Sequence, residues 1–168
     1  SINGTNREQD YLEMLRHNKV DGVVAITYSP IEHYLTSGIP FVSIDRTYSD
    51  IAIPCVSSDN DAGGREAAKQ LISKGCQHLA FVGGHNTTIN EKNGKRIPHD
   101  VQIIGYDGIK MAGDRDYLLS TIEQPLEEMA KEAVRILFDI IDGKTVNLQT
   151  ILPVKFVEGK TTKNENKS

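Results

Sequence analysis

The sequence predicts an α/β protein with parallel sheets. Three observations carry the prediction: short apolar runs rich in β-branched residues, amphipathic stripes at helical spacing between them, and regular alternation of the two along the chain. Residues 7–17 open the series. They follow Asn6, which can cap a helix with Gln9 three positions on, and carry Tyr11, Met14 and Leu15 at i, i+3, i+4. Val20 to Ile26 reads as a strand buried on both faces. Ser29-Pro30-Ile31-Glu32 combines an N-cap serine, a proline at the first helical position and a glutamate, opening a short helix that Gly38 closes.

Phe41 to Ile44 is the next strand, followed by a strand at Cys55 to Ser57. A helix over Asp61 to Lys74 has Gly75 as its cap, and His78 to Val82 is again strand-like. Val101 to Ile104 and Ser120 to Ile122 are two further strands. The clearest helix runs from Leu126 to Ile141, where Leu126, Met129, Ala130, Ala133, Val134, Leu137, Ile140 and Ile141 form a stripe between Pro125 and Gly143. A last strand is expected near Thr150 to Val157. The polar tail 158–168 lacks periodicity and is expected to be disordered. In such a fold, ligands bind at the carboxyl ends of the strands. The loops to inspect are therefore Thr27 to Ser29, Asp45 to Tyr48, Ser58 to Asp61, Gly83 to Asn86, Tyr106 to Gly108 and Glu123 to Pro125.

Composition narrows the function classes. With 19 basic against 23 acidic residues in 168, and no basic cluster longer than Lys95-Arg96, the chain lacks the positive footprint that neutralising nucleic-acid phosphates requires. No apolar run approaches the roughly 18 to 20 residues of a membrane helix. Cys55 and Cys76 have no C-x-x-C spacing and read as small core hydrophobes of a reduced, cytoplasmic protein. No H-E-x-x-H, G-x-S-x-G, P-loop or complete G-x-G-x-x-G occurs, because Gly83-Gly84-His85 lacks its third glycine. The five histidines, His17, His33, His78, His85 and His99, are scattered singly. The expectation is a protein that is not an enzyme and needs neither metal nor cofactor.

The stretch Ile97-Pro98-His99-Asp100-Val101-Gln102-Ile103-Ile104-Gly105-Tyr106-Asp107-Gly108 resembles the hallmark of the LacI/GalR family of bacterial transcription repressors. Other family-like stretches flank it in the right order: Asn18 to Val24, Gly38 to Arg46, Asp59 to Gly64, and Ser120 to Pro125. The resemblance covers nearly all of residues 6 to 157 and is similar in feel to ribose, fructose and sucrose repressors. It implies two Rossmann-like lobes with parallel sheets, built like periplasmic sugar-binding proteins, with ligand in the cleft. The chain would cross between lobes near Ser58 to Asn60 and Glu123 to Pro125. The first lobe would then comprise residues 1–58 with 125–147, and the second 59–124 with 148–157. The family's helix-turn-helix headpiece and opening strand are absent from the chain, so the core is expected to be incomplete. The 18 residues from Gly83 to Asp100 show no apolar helical stripe where the family has further helices and a strand supplying pocket residues. An internal deletion is one expectation.

The resemblance also nominates ligand-binding residues. Asp45-Arg46 follows a buried strand and is similar to a dipeptide that grips ribose. A carboxylate accepts from two hydroxyls while a guanidinium donates in a fixed fork, which suits vicinal diols. A surface ion pair would look the same from the dipeptide alone. Asp107 matches the family aspartate that reaches ligand from the second lobe, or it caps the segment from Gly108. Gln124 matches a glutamine that hydrogen-bonds sugar, or merely precedes a helix-start proline. Asp59, at the first crossing, either contributes to the site, caps the helix near Asp61 or holds the hinge. A stacking platform would have to come from Tyr28, Tyr48 or Tyr106, since the chain has no tryptophan. The implied function is the effector-binding core of a sugar-responsive repressor. It would sense a sugar or sugar phosphate, form a homodimer, and reach operator DNA only through the absent headpiece, with no membrane contact. The alternative is the extracytoplasmic sugar-binding component of a transporter.

Overall fold

The computed structural model describes residues 10, 11, 14, 15, 17–27, 38–80, 95–108 and 118–163. Asp10, Tyr11, Met14, Leu15 and His17 are helical. The labelled elements are β1 (Val23–Ala25), β2 (Phe41–Ile44), β3 (Cys55–Ser58), α1 (Asn60–Ser73), β4 (Ile104–Asp107), β5 (Ser120–Glu123), α2 (Leu126–Ile141), β6 (Gln149–Leu152) and β7 (Lys155–Val157). The helix read from Ser29, Tyr28 and the Gly83–Asn86 loop lie outside the described residues. Among the described residues, no helix is long and apolar enough to cross a membrane.

The chain divides into two compact units, residues 1–58 with 125–152 and residues 59–124 with 153–168. The first unit holds a four-stranded sheet in the order β1-β2-β3-β6, with every pair parallel. Parallel strands covered on both faces are buried along their length, and β2 is so even at the polar Ser43. Its Phe41, Val42 and Ser43 are all buried. The two faces meet different partners. Val42 and Val56 pack with Met129, Ala133 and Ile136 of α2, while Phe41 packs with Tyr48 and Ile53 on the opposite side. The 3.6-residue period of α2 explains the first contact, because Met129, Ala133 and Ile136 fall on one side of the helix. Both long helices end as read, with Gly75 and Gly143 at positive φ just past their caps.

The second unit holds the order β4-β5-β7. Strands β4 and β5 are parallel, while β5 and β7 are antiparallel, so this sheet departs from the all-parallel expectation. Helix α1 lies close to the sheet at Gly63, where a Cβ would stand 2.9 Å from the Tyr106 ring and 3.1 Å from Ile122. Only a glycine lets backbone and ring approach this far.

Four expectations are corrected. The strand read at Val101–Ile104 begins at Ile104 and runs to Asp107, because residue 104 is where the chain comes into register with Ser120. The three residues before it bond elsewhere; Gln102 donates to the Lys74 carbonyl at 3.0 Å and the Ile103 N–H to Thr161 O at 3.0 Å. His78, Leu79 and Ala80 form no strand, and the rest of that run lies outside the described residues. The run 150–157 is two strands, since Pro153 cannot donate to a ladder and ends the first of them. Strand β6 pairs with β3 in the first unit and β7 with β5 in the second, so residues 148–152 group with the first unit rather than the second. Finally, residues 158–163 are docked rather than disordered. Thr162 is only 2% exposed and its hydroxyl lies 2.7 Å from that of Ser120.

Candidate functional site

The candidate residues of the first unit stand at the carboxyl ends of β1 and β2. Asp45 directly follows β2 with φ of 61°, and its N–H donates to the Val56 carbonyl at 2.9 Å, so neighbouring strand β3 fixes its backbone. A left-handed backbone costs an ordinary residue roughly 1–2 kcal/mol, although aspartate tolerates it better than most. Asp45 is exposed, so burial of its side chain does not compensate for that conformation. Such strain concentrates at ligand clamps, which the rest of the structure must hold in place.

Arg46 is half-buried and held at both ends. The Ser43 hydroxyl donates to its carbonyl at 2.6 Å, and its guanidinium carbon lies 5.3 Å from the centre of the Tyr48 ring. That distance falls within the roughly 6 Å range of a cation–π contact. Tyr48 is therefore not a free stacking platform for a sugar. It is 9% exposed, packed among Phe41 and Ile53, and its hydroxyl meets that of Thr27 at 2.5 Å. Thr27 stands just past β1; the sequence marks its loop, but only the fold brings it to Tyr48.

Beneath this loop lies Cys55, 1% exposed. Burial pushes its thiol pKa up, and the Asp45 carboxylate pushes the same way. A buried thiol with little thiolate is a poor nucleophile. At pH 8, iodoacetamide is expected to label the half-buried Cys76 at least about tenfold faster than Cys55. Peptide mass mapping after partial alkylation would show it, and equal rates would contradict the buried placement.

The candidates of the second unit are Asp107 and Gln124, side by side at the carboxyl ends of β4 and β5. Asp107 also has a left-handed backbone, with φ of 82°. The Gln124 side-chain N–H donates to Asp107 Oδ1 at 2.7 Å. The other end of that amide, Gln124 Oε1, is buried and has no hydrogen-bond partner among the described residues. An unsatisfied buried acceptor costs about 1–3 kcal/mol, so it calls for a donor. Glu123, next to Gln124, is paired with Lys155 at 2.6 Å.

Asp59 and Tyr106 turn away from this pair. Asp59 caps α1, its Oδ1 accepting from the Ala62 N–H at 2.8 Å. This is the bond that the helix-cap reading of Asp59 calls for. Tyr106 lies in β4 rather than in a loop and donates to Asn60 Oδ1 at 2.9 Å. Each unit thus carries a strand-end aspartate in left-handed conformation beside a fixed donor, Arg46 in the first and Gln124 in the second. Such a set can bind hydroxyl groups; among the described residues no three His, Cys, Asp or Glu side chains could hold a metal ion.

Comparison with known proteins identifies the family. Residues 2–90 match the family described as periplasmic binding proteins and sugar binding domain of LacI family, and residues 89–162 match a periplasmic binding protein-like domain. The chain is 29% identical to the sucrose operon repressor of Streptococcus mutans, covering 96% of this chain and 69% of that protein. It is 27% identical to the ribose operon repressor of Halalkalibacterium halodurans, covering 94% and 67%. A periplasmic binding protein/LacI transcriptional regulator from Alkaliphilus metalliredigens, solved with D-xylulofuranose, superposes with a TM-score of 0.80 at 26% identity. That match covers 95% of this chain and 84% of the other. The alignment with the sucrose operon repressor runs over 224 residues, more than the 168 of this chain, so the relative has residues opposite which this chain has none. The two family matches meet at residues 89–90, inside the stretch 83–100 that lacks a helical stripe. The chain belongs to the family of periplasmic binding proteins and LacI-type sugar-binding domains.

Proposed function

We propose that this chain is the effector-binding core of a sugar-responsive LacI-type repressor, and that its effector is a neutral sugar. The carrying observation is the matched pair of strand-end aspartates, Asp45 and Asp107, each strained and each beside a donor that can share a diol. Charge favours a sugar over its phosphate. The nominated side chains offer one guanidinium, Arg46, against two carboxylates, Asp45 and Asp107, whereas a phosphate dianion calls for clustered cations. The relatives point the same way, as they are named for sucrose and ribose operons and one was solved with a free ketopentose. They also favour a repressor over a transporter component, the second reading. In the cell such a core would lie in the cytoplasm, act as a homodimer, and control operator binding through a headpiece. A bound sugar can shift that equilibrium only by its differential affinity for two states of the core.

Isothermal titration with ribose, xylulose, fructose and sucrose, each beside its phosphate, tests the reading. Heat with at least one neutral sugar and none with its phosphate is expected. No heat with any carbohydrate would sink the proposal. The gene sequence upstream of Ser1 separates the two readings, since a helix-turn-helix marks the repressor and a signal peptide the transporter component.

A further inference from the structure

Asp107 is exposed, yet its backbone is left-handed with φ of 82°, and Gly108 after it has φ of 70°. Two consecutive left-handed residues, the first of them not glycine, need a partner that holds them. Strand β5 supplies it. The register sets Gly105 beside Thr121 and Asp107 beside Glu123. A Cβ at Gly108 would stand 2.6 Å from Glu123 Cγ and 2.9 Å from Glu123 Cα, so the turn after β4 lies against β5. There the Gly108 N–H donates to the Thr121 hydroxyl oxygen at 3.2 Å. Thr121 is 3% exposed, and its hydroxyl donates in turn to the Ile122 carbonyl at 3.3 Å.

We propose that Thr121 is a positioning residue for sugar recognition, fixing the peptide between Asp107 and Gly108 and through it the aim of the Asp107 carboxylate. The Gly108 N–H lies in the planar peptide whose rotation is the ψ of Asp107, so holding that N–H holds the backbone from which the carboxylate extends. The hydroxyl is itself oriented, because its proton goes to Ile122 and a lone pair meets Gly108. A β-branched side chain has few χ1 choices, which keeps the hydroxyl in place. Held this way, Asp107 Oδ1 accepts from the Gln124 side-chain N–H at 2.7 Å. Thr121 touches no sugar in this scheme. The inference rests on the neutral-sugar reading and adds a residue to it.

The experiment compares wild-type protein with Thr121→Val, Thr121→Ser, Asp107→Gly and the double variant Thr121→Val/Asp107→Gly. The readouts are titration with the neutral sugar that gives most heat and NMR hydrogen exchange at the Gly108 amide. Thr121→Val keeps the shape and removes the hydroxyl. It is expected to weaken binding roughly tenfold, the scale of one lost hydrogen bond. Thr121→Ser, which restores the hydroxyl, should recover most of that loss. In the Asp107→Gly background, Thr121→Val should cost nothing more, since the carboxylate it aims is gone. The Gly108 amide should exchange at least about tenfold more slowly than in an unstructured peptide in wild type and Thr121→Ser, and lose that protection in Thr121→Val.

If Thr121→Val binds as tightly as wild type, or loses as much again in the Asp107→Gly background, the positioning role is overturned while the sugar reading stands. A wild-type Gly108 amide that exchanges as in an unstructured peptide overturns it even if Thr121→Val fails to fold, and so does a folded Thr121→Ser that binds no better than Asp107→Gly. If the wild type gives no heat with any sugar, the underlying reading falls, and this role falls with it.

Discussion

Removing residues 158–168 is expected to unfold the second unit, because residues 158–163 close the unit. Gly159 donates to the Ser120 hydroxyl at 2.9 Å and Lys160 to the Leu118 carbonyl at 2.8 Å. Thr161 accepts from the Ile103 N–H at 3.0 Å and returns a bond from its hydroxyl to the Ile103 carbonyl at 2.7 Å. Its hydroxyl oxygen also accepts from the Ser120 N–H at 2.9 Å, and the Lys163 N–H donates to Gln102 Oε1 at 2.8 Å. Each of these contributes about 0.5–1.5 kcal/mol net, and orphaning buried donors costs more. Lys74 adds to the loss. Its ammonium pairs with Glu158 at 2.6 Å and donates to the Lys163 carbonyl at 2.9 Å, and truncation removes both of these partners. Several kcal/mol is a large part of the roughly 5–15 kcal/mol that stabilises a whole domain. Native-state hydrogen exchange is the measurement. Amides of Ile103, Ser120 and Thr121 should exchange freely in the truncated protein while those of Val42 and Val56 stay protected. Thr162→Val, which keeps volume but removes one of the partners of the buried Ser120 hydroxyl, should cost about 1–3 kcal/mol by urea melting. Unchanged protection at Ser120 after truncation would contradict the docked segment.

Substitution of Asp45 should separate binding from stability. Asp45→Gly removes the carboxylate but suits the left-handed backbone, where φ is 61°. Relief of strain and the greater freedom of glycine in the unfolded chain roughly cancel, so stability should stay within about 1 kcal/mol of wild type. Sugar affinity should fall at least about 100-fold, because two charge-assisted hydrogen bonds are each worth about 1.5–3 kcal/mol. Asp45→Val loses the same bonds and also forces a β-branched residue into a conformation it resists, so it should melt about 1–2 kcal/mol lower. Paired titrations and urea melts of the two variants decide the matter. Equal affinity of Asp45→Gly and wild type would remove Asp45 from the site and leave its strain without a functional reason.

The candidate site was partly legible in the chain. Asp45-Arg46 shows itself as a charged dipeptide directly after a buried strand, and Asp107 as the close of the Gly-Tyr-Asp run. The side-by-side placement of Asp107 and Gln124, 17 residues apart, needed the resemblance first and then the parallel pairing of β4 with β5. Tyr48 was legible only as an aromatic in a promising loop. Nothing within a few residues of it says that one face will be taken by Arg46 and its hydroxyl by Thr27, 21 residues earlier. Asp59 shows the converse. Its cap bond to Ala62 is a local event, and the local reading describes it.

The sequence by itself determined the alternation of strand and helix, the limits of α2, the glycine stops at Gly75 and Gly143, and the position of the strand ends where ligands bind. These depend on spacing, caps and backbone preference within a turn or two of chain, which the residues state directly. The tertiary structure decided which strands pair. It sent β6 and β7, two residues apart, to different sheets, turned β7 antiparallel, moved β4 three residues along, and folded the polar tail onto Ser120 and Ile103. Those outcomes depend on register and on hydrogen bonds between residues 16 or more positions apart, and no local pattern encodes them.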